Sequence, residues 1–96
     1  DQFIYAEAKG NYVVFHLLIE DKPAEVMIRN SITNIEQQLS GTQNFLRIHR
    51  AFIVNLKKVR SKQGNTLGYR LKLDRSSDVI PVSRQNIKQF DQMMME

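Results

Sequence analysis

Apolar and polar residues alternate with a period of two along most of this chain. The alternation is clearest in residues 46–49 and 69–74, where Leu, Ile and Tyr are separated by charged side chains. A period of two is typical of a strand that buries one face. Together with shorter stretches rich in aromatic and β-branched residues, the pattern predicts strands at 3–7, 12–18, 24–28, 46–48, 52–54, 57–62, 69–74 and 79–80.

Some segments depart from simple alternation. Residues 12–18 are apolar at nearly every position, so this strand is expected in the middle of a sheet and covered on both faces. Residues 57–62 are strongly basic, which is typical of an exposed edge strand. Pro81 removes a backbone donor and favours an edge position for the last strand. Residues 64–68 contain two glycines and predict a loop.

Two segments have helical spacing instead. Asn30 or Ser31 is suited to cap the first helix, and Ser83 is suited to cap the second, whose first turn holds residues 84–86. The apolar side chains of each helix recur at i, i+3 and i+7 and form one stripe. They are Ile32, Ile35 and Leu39 in the first helix and Ile87, Phe90 and Met94 in the second. The pattern therefore predicts a mostly β chain with two short helices.

The segment 45–56, FLRIHRAFIVNL, carries the most information. Its alternation would bury position 50, but that position holds an arginine. A guanidinium without a partner cannot replace an apolar core side chain. The strand is therefore predicted to end or bulge at Arg50 and to resume at Phe52. Such a break would turn Arg47, His49 and Arg50 outward at the edge of the core.

Length and composition indicate one globular domain over residues 1–96. The chain is 42% hydrophobic and 25% charged and has no cysteine, which excludes a disulfide framework and a thiolate metal site. Residues 1–46 carry three Lys or Arg against six Asp or Glu, whereas residues 47–96 carry eleven against four. The basic second half favours a polyanionic partner, and a merely solvated surface is the open alternative.

Common catalytic and metal-binding patterns are missing from the sequence. It has no H-E-x-x-H motif, no Asp-rich calcium loop and no glycine-rich phosphate loop. His16 lies in an apolar strand and is expected to be satisfied by a neighbouring group. His49, beside two arginines, is the best candidate for an acid or base, but the sequence supplies no partner for it. We therefore expect a protein that is not an enzyme, with no catalytic residue, metal or cofactor.

Three blocks of sequence, in this order, resemble one known family. Residues 45–55, with the core F-L-R-I-H-R-x-F-I-V-N, are similar to the central motif of the LytTR (LytR-type) DNA-binding domain of bacterial response regulators. Residues 3–12 (FIYAEAKGNY) resemble the opening strand and loop of that family, and residues 80–85 (IPVSRQ) resemble its closing segment. Because the blocks span almost the whole chain, the resemblance is more specific than any single motif.

The resemblance implies a fold and a set of contact residues. The family fold is predominantly β, an elongated arrangement of small, mainly antiparallel sheets with short helices. Its members bind DNA through loops and one helix start that reach successive major grooves. Carried over by position, the implied DNA-binding residues form three groups, with two lysines for backbone positioning. The groups are Lys9 and Asn11; Arg47, His49 and Arg50; and Arg84, Gln85 and Asn86; the two lysines are Lys57 and Lys58.

Two positions depart from the family pattern. Ala51 stands where the family often has Ser, and Gln85 stands where a second basic residue is common. The first departure removes a hydroxyl beside the second contact group. The second weakens the expected third contact or changes its sequence preference.

The expected role follows from the resemblance. The chain is expected to be the DNA-binding output domain of a bacterial transcriptional regulator, acting in the cytoplasm in two-component phosphorelay signalling and without direct membrane contact. Its expected partners are double-stranded DNA with paired repeats, an upstream receiver or sensor domain of the same chain, and a second copy on DNA. The alternative is a β-rich module that binds an acidic protein or another polyanion through the basic half.

Overall fold

The computed structural model describes residues 2–95 as two antiparallel sheets and two helices. The first sheet contains β1 Gln2–Lys9, β2 Tyr12–Ile19, β3 Lys22–Arg29, β4 Phe45–His49 and β5 Phe52–Asn55. The second contains β6 Val59–Asn65, β7 Gly68–Leu73 and β8 Val79–Ser83. The helices are α1 Ile32–Gln38 and α2 Ile87–Met94, and single 3-10 turns cover Leu56–Lys58 and Arg84–Asn86. The prediction of a mostly β fold with two short helices is confirmed.

The five-stranded sheet lies between two hydrophobic cores. Its strand order is β3-β2-β1-β5-β4, and that of the second sheet is β6-β7-β8. One face of the larger sheet packs on α1, where Ile32 and Ile35 contact Val13 and Ile53. The other face packs against the smaller sheet and α2, around a Phe90 side chain that is 0% exposed. The principal extents are 32 × 27 × 24 Å.

Two predicted element boundaries, the start of α1 and the end of β4, are found where the sequence places them. Ser31 caps α1, because its Oγ accepts a hydrogen bond of 3.1 Å from the backbone N–H of Asn34. Strand β4 ends at His49 and β5 begins at Phe52, so the chain turns at Arg50 and does not bury its guanidinium.

The central strand β2 is less covered than its sequence predicts. It lies between β1 and β3 as expected, but Tyr12 and Ile19 are exposed and the middle of the strand is only half-buried. The neighbouring edge strand β3 leaves Val26, Met27 and Ile28 exposed. The cores cover the sheet around β1 and β5 and thin out toward this edge.

The predicted loop over residues 64–68 is instead the end of a hairpin. Asn65 pairs with Gly68, so only Thr66 and Leu67 remain in the turn. Gly64 has φ +125°, and a Cβ there would collide with the carbonyl oxygen of Gly68. Glycine allows this backbone conformation, and strand β6 therefore continues where its polar sequence indicated a loop.

The expectation that a neighbouring group satisfies His16 is wrong for its Nε2 within the described residues 2–95. Its ring stacks on that of Tyr5 at a centroid distance of 4.0 Å. Its Nε2 is buried without a hydrogen-bond partner and lies 3.9 Å from Oε1 of Glu7, while Nδ1 lies 3.6 Å from Oε1 of Glu25. The position of the His16 side chain is therefore set by packing against the Tyr5 ring and by two nearby carboxylates.

Candidate nucleic-acid interface

Two turns lie side by side at one end of the five-stranded sheet. Strands β1 and β5 are antiparallel neighbours, and the backbone N–H of Ala8 donates a hydrogen bond of 2.8 Å to the carbonyl oxygen of Ala51. The β1–β2 turn at residues 10–11 therefore lies beside the β4–β5 turn at residues 50–51. Segments 40 residues apart in the sequence meet here because of the sheet register.

The start of α2 is tied to the same end of the domain. The Ser83 hydroxyl donates to the carbonyl oxygen of Ile48 at 3.3 Å, and Asn86 Nδ2 donates to that oxygen at 3.1 Å and to Ser83 Oγ at 2.5 Å. These bonds hold the 3-10 turn at residues 84–86 against the last residues of β4. We call the resulting surface the turn end, made of residues 9–11, 49–51 and 83–86.

The first candidate group lies at the tip of the β1–β2 hairpin. Gly10 has φ +58°, a left-handed conformation that glycine adopts without strain. The carbonyl oxygen of Asn11 accepts a 3.1 Å hydrogen bond from Asn30, while the Asn11 side chain is exposed. The Lys9 ammonium is also exposed, 3.9 Å from Oε1 of Glu7. Both predicted side chains of this group can meet a ligand from solvent.

Arg47 is directed inward, contrary to its predicted outward position. It alternates with Leu46 and Ile48 and therefore lies on the face covered by α1. Its Nη1 donates to Thr33 Oγ1 at 2.9 Å and to Glu36 Oε1 at 3.0 Å. Its Nη2 donates to the carbonyl oxygen of Arg50 at 2.6 Å. With its side chain only 21% exposed, Arg47 supports the β4–β5 turn from within.

His49 and Arg50 form the accessible part of the second group. The backbone N–H of Ala51 donates to His49 Nδ1 at 3.1 Å, so in the neutral ring the proton lies on Nε2. The ring also packs edge-on against Phe52 at 5.6 Å. His49 thus presents a fixed N–H donor, and the exposed Arg50 extends from the turn next to it.

The third group separates into exposed and structural residues. Arg84 and Gln85 are exposed, whereas Asn86 is half-buried and uses its amide to bind Ile48 and Ser83. Ser83 does not cap the helix as predicted: its hydroxyl bonds across to β4, residues 84–86 form a 3-10 turn, and α2 begins at Ile87. A cleft of about 350 Å³ lies between this group and the second, and its lining includes His49, Arg50, Gln85 and the acidic Glu36.

Lys57 and Lys58 are not brought together with the other candidates. They follow β5 in the 3-10 turn at Leu56–Lys58, and β5 runs away from the turn end for four residues, about 13 Å. The Lys58 ammonium hydrogen-bonds to Oε1 of Gln2 at the start of β1. These two lysines lie toward the opposite end of the sheet.

Ion pairing separates the arginines into two sets. Within residues 2–95, Arg47, Arg60 and Arg75 each pair with a carboxylate at 4.0 Å or less. No carboxylate of the described residues pairs with the other four, which are Arg29, Arg50, Arg70 and Arg84. Sequence reasoning missed two of these four. Arg29 lies opposite Tyr12 in the strand register, beside the β1–β2 turn, and Arg70 lies three residues past Leu67 of the β6–β7 turn.

Other kinds of site are not supported by the described residues. Residues 2–95 hold no group of three or more His, Asp or Glu side chains arranged to bind a metal ion. None of the helices described has the length and apolar character needed to cross a membrane.

Comparison with known proteins agrees with this geometry. No curated protein matches the chain. Among solved structures, the LytTr DNA-binding domain of a response regulator from Bacillus cereus has the same fold, with a TM-score of 0.79 and 22% sequence identity over 97% of this chain and 81% of that one. The sequence model of the LytTr DNA-binding domain matches residues 1–95. The chain therefore belongs to the LytTr DNA-binding domain family.

Proposed function

We propose that this chain binds double-stranded DNA with sequence preference as the output domain of a bacterial transcriptional regulator. The observation that supports this best is that Asn11, Arg50 and Arg84 are exposed in three turns that lie at the same end of the domain. These side chains come from three distant parts of the sequence, and each carries exposed N–H donors. Within residues 2–95 neither Arg50 nor Arg84 pairs with a carboxylate, and cationic and amide donors left free in this way favour an anionic, hydrogen-bonding ligand.

The chemistry of each exposed side chain suits part of the duplex. Arg50 and Arg84 can donate in bidentate fashion to N7 and O6 of guanine, or bind phosphates. Asn11 and Gln85 can pair with N6 and N7 of adenine. The fixed Nε2–H of His49 can donate to a base edge or a phosphate oxygen. Lys9 adds a point charge next to Asn11 and positions the backbone.

Arg47 and Asn86 act in this proposal as supports. Arg47 binds the carbonyl oxygen of Arg50, and Asn86 binds the carbonyl oxygen of Ile48. Arg47 therefore fixes the backbone of the exposed Arg50, and Asn86 fixes that of the buried Ile48, which precedes His49. Lys57 and Lys58 lie outside the proposed interface, because a duplex seated on the turn end does not reach them.

The size of the domain bears on how many grooves it reaches. Its longest extent is 32 Å, and successive major grooves on one side of a duplex are about 34–36 Å apart. Contact with two successive grooves would therefore require long side chains that extend from both edges of the domain. Bending of the duplex toward the protein would shorten the span further.

The proposed context is a cytoplasmic two-component regulator. A receiver or sensor domain would precede this domain in the same chain, and paired DNA repeats would bind two copies. A dimer on DNA doubles the footprint and raises the affinity above that of one domain.

Selection from random duplexes tests the proposal directly. The chain is mixed with a pool of random-sequence duplexes, the bound fraction is recovered, and its sequence is compared with that of the input. We expect a short recurring motif, bound more tightly than a scrambled duplex at the same salt concentration. Equal affinity for all duplexes would reject the proposal in favour of a general polyanion-binding module.

A further inference from the structure

A second cleft opens beside the turn end. It has a volume of about 610 Å³ and lies between the β4–β5 turn and the β6–β7 hairpin. Its lining includes His49 and Ser83, and Leu67 and Arg70 from the hairpin. None of the three candidate contact groups includes this hairpin.

The strand register places the hairpin tip at the same end of the domain. Gly68 pairs with Ser83 in β8 and with Asn65 in β6. The two turn residues, Thr66 and Leu67, therefore extend past the level of Ser83, on the side where Arg84 begins. A duplex seated on the turn end would pass next to this tip.

The residues that line the cleft suit a phosphodiester backbone. They include the guanidinium of Arg70 and the imidazole of His49, and no Asp or Glu is among them. Within residues 2–95, Arg70 pairs with no carboxylate. Leu67 is 69% exposed at the outer lip. An exposed leucine next to cationic donors fits a ligand with alternating charged and apolar groups, as phosphate and deoxyribose alternate.

The hairpin is held firmly enough to act as a fixed wall. Asp91 of α2 accepts hydrogen bonds from the Tyr69 hydroxyl at 2.8 Å and from Lys62 Nζ at 3.1 Å. The Tyr69 ring also packs on Phe90 at a centroid distance of 5.8 Å. The hydrogen bonds from Tyr69 and Lys62 hold the pKa of Asp91 below its usual value, because both donors stabilise its carboxylate.

We propose that this cleft is a fourth DNA contact, which seats a segment of one strand's backbone outside the three candidate groups. Arg70 binds a phosphate in it, and Leu67 covers the adjoining deoxyribose. The proposal rests on the proposed DNA-binding function and extends its footprint to the β6–β7 hairpin.

The test uses the duplex that the unaltered chain selects from the random pool. Affinity is measured across a series of salt concentrations for Arg70→Ala and for a matched control, Lys72→Ala. Lys72 is on the same strand and the same face, two residues farther from the tip. We expect Arg70→Ala to weaken binding to all duplexes alike and to lower the slope of log affinity against log salt by about 0.9. The control should leave that slope unchanged.

Hydroxyl-radical cleavage of the same duplex tests the proposed contact between Leu67 and a deoxyribose. One cluster of deoxyriboses protected by the unaltered chain should lose protection with Leu67→Ser and keep it with Val79→Ser. Val79 is also exposed but lies at the far end of the same sheet. Thermal unfolding of each variant confirms that the fold is kept, as expected for exposed positions.

The outcomes separate this proposal from the one on which it rests. If the unaltered chain selects no motif, DNA recognition itself fails and the fourth contact fails with it. If the chain selects a motif but Arg70→Ala behaves like Lys72→Ala, or Leu67→Ser leaves the cleavage pattern unchanged, the fourth contact is rejected and the proposed function stands.

Discussion

The guanidinium of Arg47 donates a 2.6 Å hydrogen bond to the backbone carbonyl oxygen of Arg50. One arginine of the central motif thus supports the turn that presents the other. The same guanidinium is fixed from its other side by Thr33 and Glu36 of α1. The helix, the β4–β5 turn and the exposed Arg50 form one connected unit.

This relationship predicts different consequences for two similar substitutions. Arg47→Ala removes three hydrogen bonds from a mostly buried guanidinium and should lower the free energy of unfolding by about 1–3 kcal/mol. It should also weaken DNA binding, because the turn loses its support. Arg50→Ala removes an exposed side chain and should weaken binding with a stability change within about 0.5 kcal/mol. Urea unfolding and titration with the selected duplex measure both quantities.

Glu36→Gln serves as the control for the first of these changes. It keeps an acceptor for Arg47 but removes the charge, and should therefore destabilise less than Arg47→Ala. The interpretation of Arg47 as a support would be wrong if Arg47→Ala abolished binding while the unfolding free energy stayed unchanged, since that result indicates direct contact with DNA.

Arg84 is predicted to recognise a base. It is exposed at the start of the 3-10 turn, and Asn86 fixes the backbone around it. Arg84→Ala should cost about 1–3 kcal/mol of specific binding and relax preference at one base position. Arg84→Lys keeps the charge but loses the bidentate fork. Compared with Arg84→Ala, it should therefore restore affinity for scrambled duplexes but not the preference at that base position. Equal loss on selected and scrambled duplexes with Arg84→Ala would indicate a phosphate contact instead.

Lys58 is predicted to contribute no phosphate contact, although its sequence position suggests one. It lies past the far end of β5 and hydrogen-bonds to Gln2. Lys58→Ala should leave the salt dependence of binding unchanged, whereas Arg50→Ala should reduce the slope by about 0.9 if Arg50 binds a phosphate. A reduction of similar size for Lys58→Ala would show that the duplex extends along the sheet and does not stop at the turn end.

The sequence predicts elements well where the periodicity is strong. The β4–β5 turn is predictable because a charged residue occurs where alternation requires an apolar one, and α1 is predictable from Ser31 and its apolar stripe. Residues 64–68 are not, because both faces of that hairpin end are exposed. With neither face buried, a strand leaves no alternation in its sequence, and two glycines then indicate a loop.

The site is only partly predictable for a different reason. Exposed candidate residues such as Arg50 and Arg84 can be chosen from residue type and family resemblance. The support role of Arg47 depends on Thr33 and Glu36, which lie 14 and 11 residues away in the sequence. Lys57 and Lys58 lie away from the turn end because of the direction in which β5 runs. Both arrangements are consequences of tertiary packing, which local pattern does not contain.

A buried tyrosine gives a prediction about alkaline stability. Tyr5 is 2% exposed, and its hydroxyl donates to Asp78 Oδ2 at 2.6 Å, joining β1 to the loop before β8. Burial, reinforced by this hydrogen bond, raises the pKa of Tyr5 far above its usual value. The unfolded chain therefore releases this proton near pH 10 while the folded chain retains it. The resulting stability is complete below about pH 10 and declines as the pH rises further, by up to about 1.4 kcal/mol per pH unit.

The difference between the unaltered chain and Tyr5→Phe isolates this effect, because all other titrating groups are common to both. At pH 8, Tyr5→Phe should be less stable by about 1 kcal/mol, the value of one hydrogen bond. Between pH 10 and 11 the difference should shrink and then change sign, since the variant has no phenol to keep protonated. Urea unfolding at a series of pH values measures it. A difference that is the same at pH 8 and pH 11 would mean that Tyr5 ionises in the folded state as readily as in the unfolded one.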